Sequence, residues 1–138
     1  MKNNKKIKIH VKNNHWVPGS FPTDAEGEKN FTITREHLDQ ALKKFPEIKD
    51  KVEIFVDWDE DNFKTSMSNS DILLAWNFST TNLKKIAPNL KWIHLISAGV
   101  EHLLPLDWMF DDLVLTNSSG VHSKKAGEYG LMSILMLQ

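Results

Sequence analysis

The 138-residue chain has no cysteine, which removes disulfide bridges, thiol catalysis and cysteine-ligated zinc from consideration. It has no run approaching the ~20 apolar residues of a membrane-spanning helix. The positive charges at its start precede no apolar stretch, so nothing there reads as a signal peptide, and the cytoplasm is the default compartment. Charge of one sign is missing too: 17 Lys and Arg balance 18 Asp and Glu for a net −1, which leaves no basic footprint for nucleic acid. The Lys- and Asn-rich Met1–Lys6 is locally basic and reads as a frayed terminus rather than a binding arm. Glycine is scarce, with six residues and no Gly-x-Gly pair, so the dinucleotide-binding fingerprint is absent. A single arginine, Arg35, stands at the start of a predicted helix.

What is present is the composition of an ordinary globular domain, 41% hydrophobic and 25% charged, long enough for one core and too short for two full domains. Ile7-Lys8-Ile9-His10-Val11 alternates apolar and polar residues as a strand with one wet face does. Lys12 to Thr32, broken by Pro18-Gly19, Pro22 and Gly27, reads as a long mobile connection. Thr34 can cap a helix carrying Leu38, Ala41, Leu42 and Phe45 on one stripe, ended by Pro46. Val52–Val56 reads as a second strand. Asp61–Ser68 forms a short helix with Phe63 and Met67 inward. Ile72-Leu73-Leu74-Ala75-Trp76 is continuously apolar, as in a strand covered on both faces. Ser79-Thr80-Thr81 opens another short helix that stops near Pro88. Trp92–Ile96 makes a fourth strand, Glu101–Leu104 a helical piece, Leu113–Thr116 a fifth strand, and Ser123 caps a final helix. Strands alternating with helices imply right-handed crossovers and a five-stranded, mostly parallel sheet, a flavodoxin-like three-layer αβα domain.

The final helix is apolar almost all round from Gly130 to Gln138 and carries no capping signal at its end. It fits a helix tucked into its own core, or one that continues into a second domain or packs on another copy; a homodimer is the expected assembly. Ile96-Ser97-Ala98-Gly99-Val100-Glu101-His102 follows a strand, at the edge where open parallel sheets bind ligands. There Gly99 allows a sharp turn and close approach, and the N–H groups of Ala98, Gly99 and Val100 can face an anion. An ordinary strand-to-helix turn has the same composition. The six histidines include no i, i+4 pair for zinc. His94 lies in a strand as a packed or edge residue, while His102 and His122 stand near ligand-facing turns without a carboxylate partner in sequence. Asp57, Asp59, Glu60 and Asp61 suit a solvated loop and helix start better than a magnesium site. A phosphoacceptor receiver shares the architecture, but the lysine it needs after the fifth strand is not in place.

Three segments in order carry a family resemblance: Leu90-Lys91-Trp92-Ile93-His94-Leu95-Ile96-Ser97-Ala98-Gly99-Val100-Glu101-His102, then Val114-Leu115-Thr116-Asn117-Ser118-Ser119-Gly120-Val121-His122, then Ala126-Gly127-Glu128-Tyr129-Gly130-Leu131-Met132-Ser133-Ile134-Leu135. Together they are similar to the D-isomer-specific 2-hydroxyacid dehydrogenases over Leu90–Gln138; residues 1–89 match only in general pattern. Glu101 stands where that family usually has Asp. The resemblance implies a substrate domain over 1–121 and the start of an interdomain crossing helix over 122–138, with the NAD-binding domain absent. By the same analogy the loop of Ser97, Ala98, Gly99 and Val100 binds the carboxylate of a 2-hydroxy or 2-keto acid, and Trp76, Asn77 and Phe78 line the pocket, Trp76 being equally compatible with core packing. The family's NAD or NADP cofactor, clamping arginine and His–Glu pair would lie beyond Gln138. No catalytic residue carries over, no cofactor is expected on this piece, and it is expected to be inactive alone. The alternative is a stand-alone flavodoxin-like binding or dimerisation module without catalysis.

Overall fold

The computed structural model describes residues 5–19 and 25–137. Met1–Asn4 of the basic cluster, Ser20–Asp24 of the long connection (Pro22 among them) and Gln138 lie outside the described residues. Five strands, β1 (Ile7–Asn13), β2 (Val52–Trp58), β3 (Ile72–Ala75), β4 (Trp92–Leu95) and β5 (Val114–Asn117), form one sheet in the order β2-β1-β3-β4-β5. Every neighbouring pair is parallel. This is the doubly wound flavodoxin-like order, whose direction of winding reverses at β1/β3. The expected fold class therefore holds, and the sheet is parallel throughout.

Winding from β1 out to β2 and then back through β3, β4 and β5 puts the crossovers on opposite faces, because each is right-handed. One face receives α1 (Ala25–Phe31), α2 (Arg35–Lys44) and α3 (Pro46–Lys49). The other receives α4 (Phe63–Met67), α5 (Leu83–Ile86) and two 3-10 turns at Glu101–Leu103 and Leu106–Trp108. The core lies on the second face. Leu73 and Ala75 of β3 and Ile93 and Leu95 of β4 point into it with Phe63, Met67, Leu83, Leu90 and Leu113. Each fully buried aliphatic of this kind contributes about 1.5–3 kcal/mol. The register sets His10 opposite Leu73 and Lys12 opposite Ala75, so β1 sends two polar side chains toward this core.

Several expectations need correction. The connection from Lys12 to Thr32 is not structureless: it contains α1, tied down when Glu28 accepts from the Trp16 N–H at 2.6 Å. Asn13 reinforces the anchorage, exchanging two hydrogen bonds with the main chain of Ile33 at 2.9 and 3.0 Å. Strand β3 is not equally covered on both faces, since Leu73 and Ala75 are buried while Ile72, Leu74 and Trp76 are half-buried. Helix α5 starts at Leu83, not in the Ser79–Thr81 cluster, because Asn82 takes a left-handed conformation with φ 56°. Ser123 is the first residue of α6 (Ser123–Met136) and not its cap; His122 holds the cap position, and Ser123 Oγ donates to the Gly120 carbonyl at 2.7 Å. Thr34 does cap α2, in a reciprocal box with His37, and Pro46 opens α3 where its missing N–H costs nothing.

Candidate functional site

The carboxyl ends of the strands gather the sequence-predicted residues onto two adjacent loops, one after β3 and one after β4. Trp76 sits between them. Its main-chain carbonyl accepts from His102 Nε2 at 2.8 Å, and its ring stacks with the His102 ring at 6.0 Å and meets Phe31 of α1 edge-on at 5.7 Å. A carbonyl only accepts, so His102 donates this bond from Nε2–H. Asn77 caps its own loop, with Oδ1 accepting from the Phe78 N–H at 2.9 Å, while its carbonyl accepts from Lys12 Nζ at 2.9 Å. Phe78 turns inward, buried against Trp108 and Phe63 at 5.7 and 6.4 Å. A cavity of about 190 Å³ opens here, lined by Asn77, Thr80, His102, Leu104, Asp107 and Trp108. A larger one, about 420 Å³ between Lys6, Asp71 and Trp92, lies at the amino ends of the strands. Parallel sheets do not bind their ligands at that edge.

In the loop after β4, Ser97 is buried and its hydroxyl donates to the Gly99 carbonyl at 2.7 Å, folding the turn on itself. Ala98 is exposed, Gly99 half-buried, and Val100 packs partly against the core. Among the described residues nothing accepts from the main-chain N–H groups of Ala98, Gly99 or Val100, so three donors at the ligand edge are left unengaged. Gly99 is not in the left-handed region, unlike Gly120 at φ 85°. The Glu101 carboxylate lies where a β-carbon on residue 99 would begin, a contact that this exposed, flexible side chain can relieve by moving.

Lys12 is 3% exposed. Its ammonium is satisfied by the Asn77 carbonyl and by Glu60 Oε1 at 3.3 Å, which fixes the loop after β3 to the end of β1. His10, fully buried beside Phe63, has no hydrogen-bond partner on either ring nitrogen. Burial holds its pKa below the ordinary 6.5; nearby Asp57 opposes and Lys12 reinforces that shift. Residues distant in sequence also meet around His15, whose ring stacks on Trp58 at 4.2 Å. Its Nδ1 lies 3.7 Å from Glu28 and its Nε2 3.8 Å from Asp59. No sequence pattern announced this group, because its carboxylates come from α1 and from the turn after β2. Three residues of the acidic cluster are engaged within the chain: Asp57 accepts from Trp58 N, Asp59 from His15 N, and Glu60 pairs with Lys12.

His94 lies on the opposite face from the core, in a chain of hydrogen bonds. Trp92 Nε1 donates to Thr116 Oγ1 at 2.8 Å, and Thr116 Oγ1 lies 2.9 Å from His94 Nδ1. His94 Nε2 lies 3.4 Å from Ser118 Oγ, whose hydroxyl donates to the Leu95 carbonyl at 3.2 Å. A serine whose proton is given to a carbonyl is not activated as a nucleophile. His122 is exposed at the start of α6.

The residues after β1 do not fit a dinucleotide. That turn runs Asn14-His15-Trp16-Val17-Pro18-Gly19, with side chains where pyrophosphate binding requires glycines. No helix among the described residues is long and apolar enough to cross a membrane. No family profile, curated protein or solved structure matches the chain.

Proposed function

We propose that the chain is the substrate-side domain of an NAD(P)-dependent oxidoreductase acting on the CH–OH group of D-2-hydroxy acids, with the Ser97–Val100 loop receiving the substrate carboxylate. The observation that carries this is the row of three unpartnered N–H groups at the carboxyl end of β4, beside the loop of Trp76, Asn77 and Phe78. Such donors hold a carboxylate by charge-assisted hydrogen bonds, and the cavity of about 190 Å³ between Asn77 and His102 suits a two- or three-carbon acid. Thr80 offers a hydroxyl donor for the 2-oxygen. Hydride transfer needs a nicotinamide cofactor and an acid–base pair that these residues do not form, so the chain supplies recognition only.

An NMR titration with glyoxylate or pyruvate tests this. The amides of Ala98, Gly99 and Val100 shift saturably, while the chain alone neither binds NADH nor consumes it. Shifts confined to other residues, or turnover by the isolated chain, would refute the proposal.

A second reading, a self-associating binding module, is favoured by α6. None of its side chains is buried, and Leu131, Ile134, Leu135, Met136 and Leu137 stand 60–88% exposed. Contiguous apolar surface of this kind seeks cover. Sedimentation of a strictly monomeric chain at high concentration would remove that reading.

A further inference from the structure

We propose that Glu101 is a built-in competitor for the acid bound at the Gly99 loop, a role that rests on the function proposed above. Against Gly99, in the middle of this loop, rests a carboxylate of the chain's own. Glu101 Cδ and Oε1 fall 2.8 and 2.9 Å from where a β-carbon on residue 99 would sit, and Oε2 is closer still. No described residue donates a hydrogen bond to this carboxylate or pairs with it. The single arginine, Arg35, is paired with Asp39, and the buried Lys12 with Glu60. Glu101 therefore fills by contact alone the space that glycine leaves open, next to donors that it does not use. A 2-hydroxy or 2-oxo acid seating its carboxylate on those donors meets a like charge close by. The resident carboxylate has to swing out first, and it returns when the ligand leaves. Anionic ligands are held more loosely than the bare loop would hold them, and the product acid is released more readily. A neutral ligand of the same shape meets no such repulsion.

The test is an NMR titration of the whole chain with oxamate, a charged and unreactive 2-oxo acid analogue, read at the amides of Ala98, Gly99 and Val100. Glu101→Gln keeps the size and removes the charge, and it binds oxamate about fivefold tighter than the parent, the effect of like charges about 4 Å apart in water-like surroundings. Glu101→Ala, which also clears the space, binds at least as tightly. Oxamide, the neutral counterpart, binds the parent and Glu101→Gln equally. Glu101 is exposed, so neither variant endangers the fold, and the same spectra verify this. Oxamate binding at these amides with no gain in Glu101→Gln overturns the competitor role while leaving the substrate loop standing. An equal gain for oxamide overturns the electrostatic basis. Absence of any saturable shift in all three proteins removes the substrate loop and the competitor with it.

Discussion

The two faces of the sheet are finished to different degrees. On one, Leu73, Ile93 and Leu95 disappear completely beneath Phe63, Met67 and Leu83. On the other, α1–α3 attend to the β1–β2 side, where Arg35 donates to the Ile54 carbonyl at 3.0 Å. Over β3, β4 and β5 that face presents Ile72, Trp92 and Val114, of which Trp92 is 41% and Val114 55% exposed. The same strands carry large apolar residues on both sides, so the presence of such residues alone does not say which side a chain seals for itself. The difference is made by connections. The short crossovers back through β3, β4 and β5 all fall on one face, and only α6, which follows β5, remains unspent.

The sharpest way to break this contrast is to cut into both faces. Leu73→Ala and Ile93→Ala are each expected to cost about 2–5 kcal/mol in urea unfolding, as cavities in a closed core do. Val114→Thr is expected to stay within about 0.5 kcal/mol. A loss at Val114 as large as that at Leu73 would mean that the open face is covered in solution.

A smaller effect is expected at His10, the polar intruder on the sealed face. The folded protein disfavours the His10 imidazolium, whereas the unfolded chain takes up a proton near 6.5. Below that pH the unfolded state binds more protons, so stability falls with acidification. His10→Leu removes two orphaned ring nitrogens, raises stability at neutral pH by on the order of 1 kcal/mol, and flattens the decline between about pH 7 and pH 5. Unfolding curves at several pH values decide it; an unchanged acid slope would assign the decline to other groups.

The smallest expected change in stability is at α6. Ile134→Glu combined with Leu135→Lys leaves the urea midpoint unmoved and lowers the weight-average mass at high concentration in sedimentation equilibrium. A shifted midpoint with no change in mass would mean that α6 packs within its own chain.

Much of this arrangement was legible in the residues. Alternation in Ile7–Val11, the strand patterns at Val52, Ile72, Trp92 and Leu113, and Thr34 ahead of a helical stripe point to five strands and a capped helix because each signal is local. Helix α1 was missed because Ala25–Phe31 holds a glycine and two glutamates and little apolar patterning, and tertiary bonds from Trp16 and Asn13 hold its neighbourhood. The stripe of α2 was visible, yet Phe45 ends 53% exposed, since periodicity marks a face without naming its partner. At the candidate site the loops were legible from strand ends. The His102 contact with Trp76, 26 residues away, and the His15 group were not, because no spacing rule links residues joined only by the winding of the sheet. At Gly99 the sharp turn read from the sequence does not need a left-handed backbone, and the neighbour that rests on it, the Glu101 carboxylate, had no signal in the sequence.

The tryptophans are distributed so that the protein carries its own optical labels. Trp76 sits at the carboxyl edge between Phe31 and His102, Trp92 begins β4 on the open face, and Trp108 lies against Phe78 beside the core. Emission from Trp76 therefore responds to a molecule entering the loops, emission from Trp92 to another surface arriving over the sheet, and emission from Trp108 to loss of the fold. Single-tryptophan variants would turn occupancy, association and unfolding into three separate colours of the same spectrum.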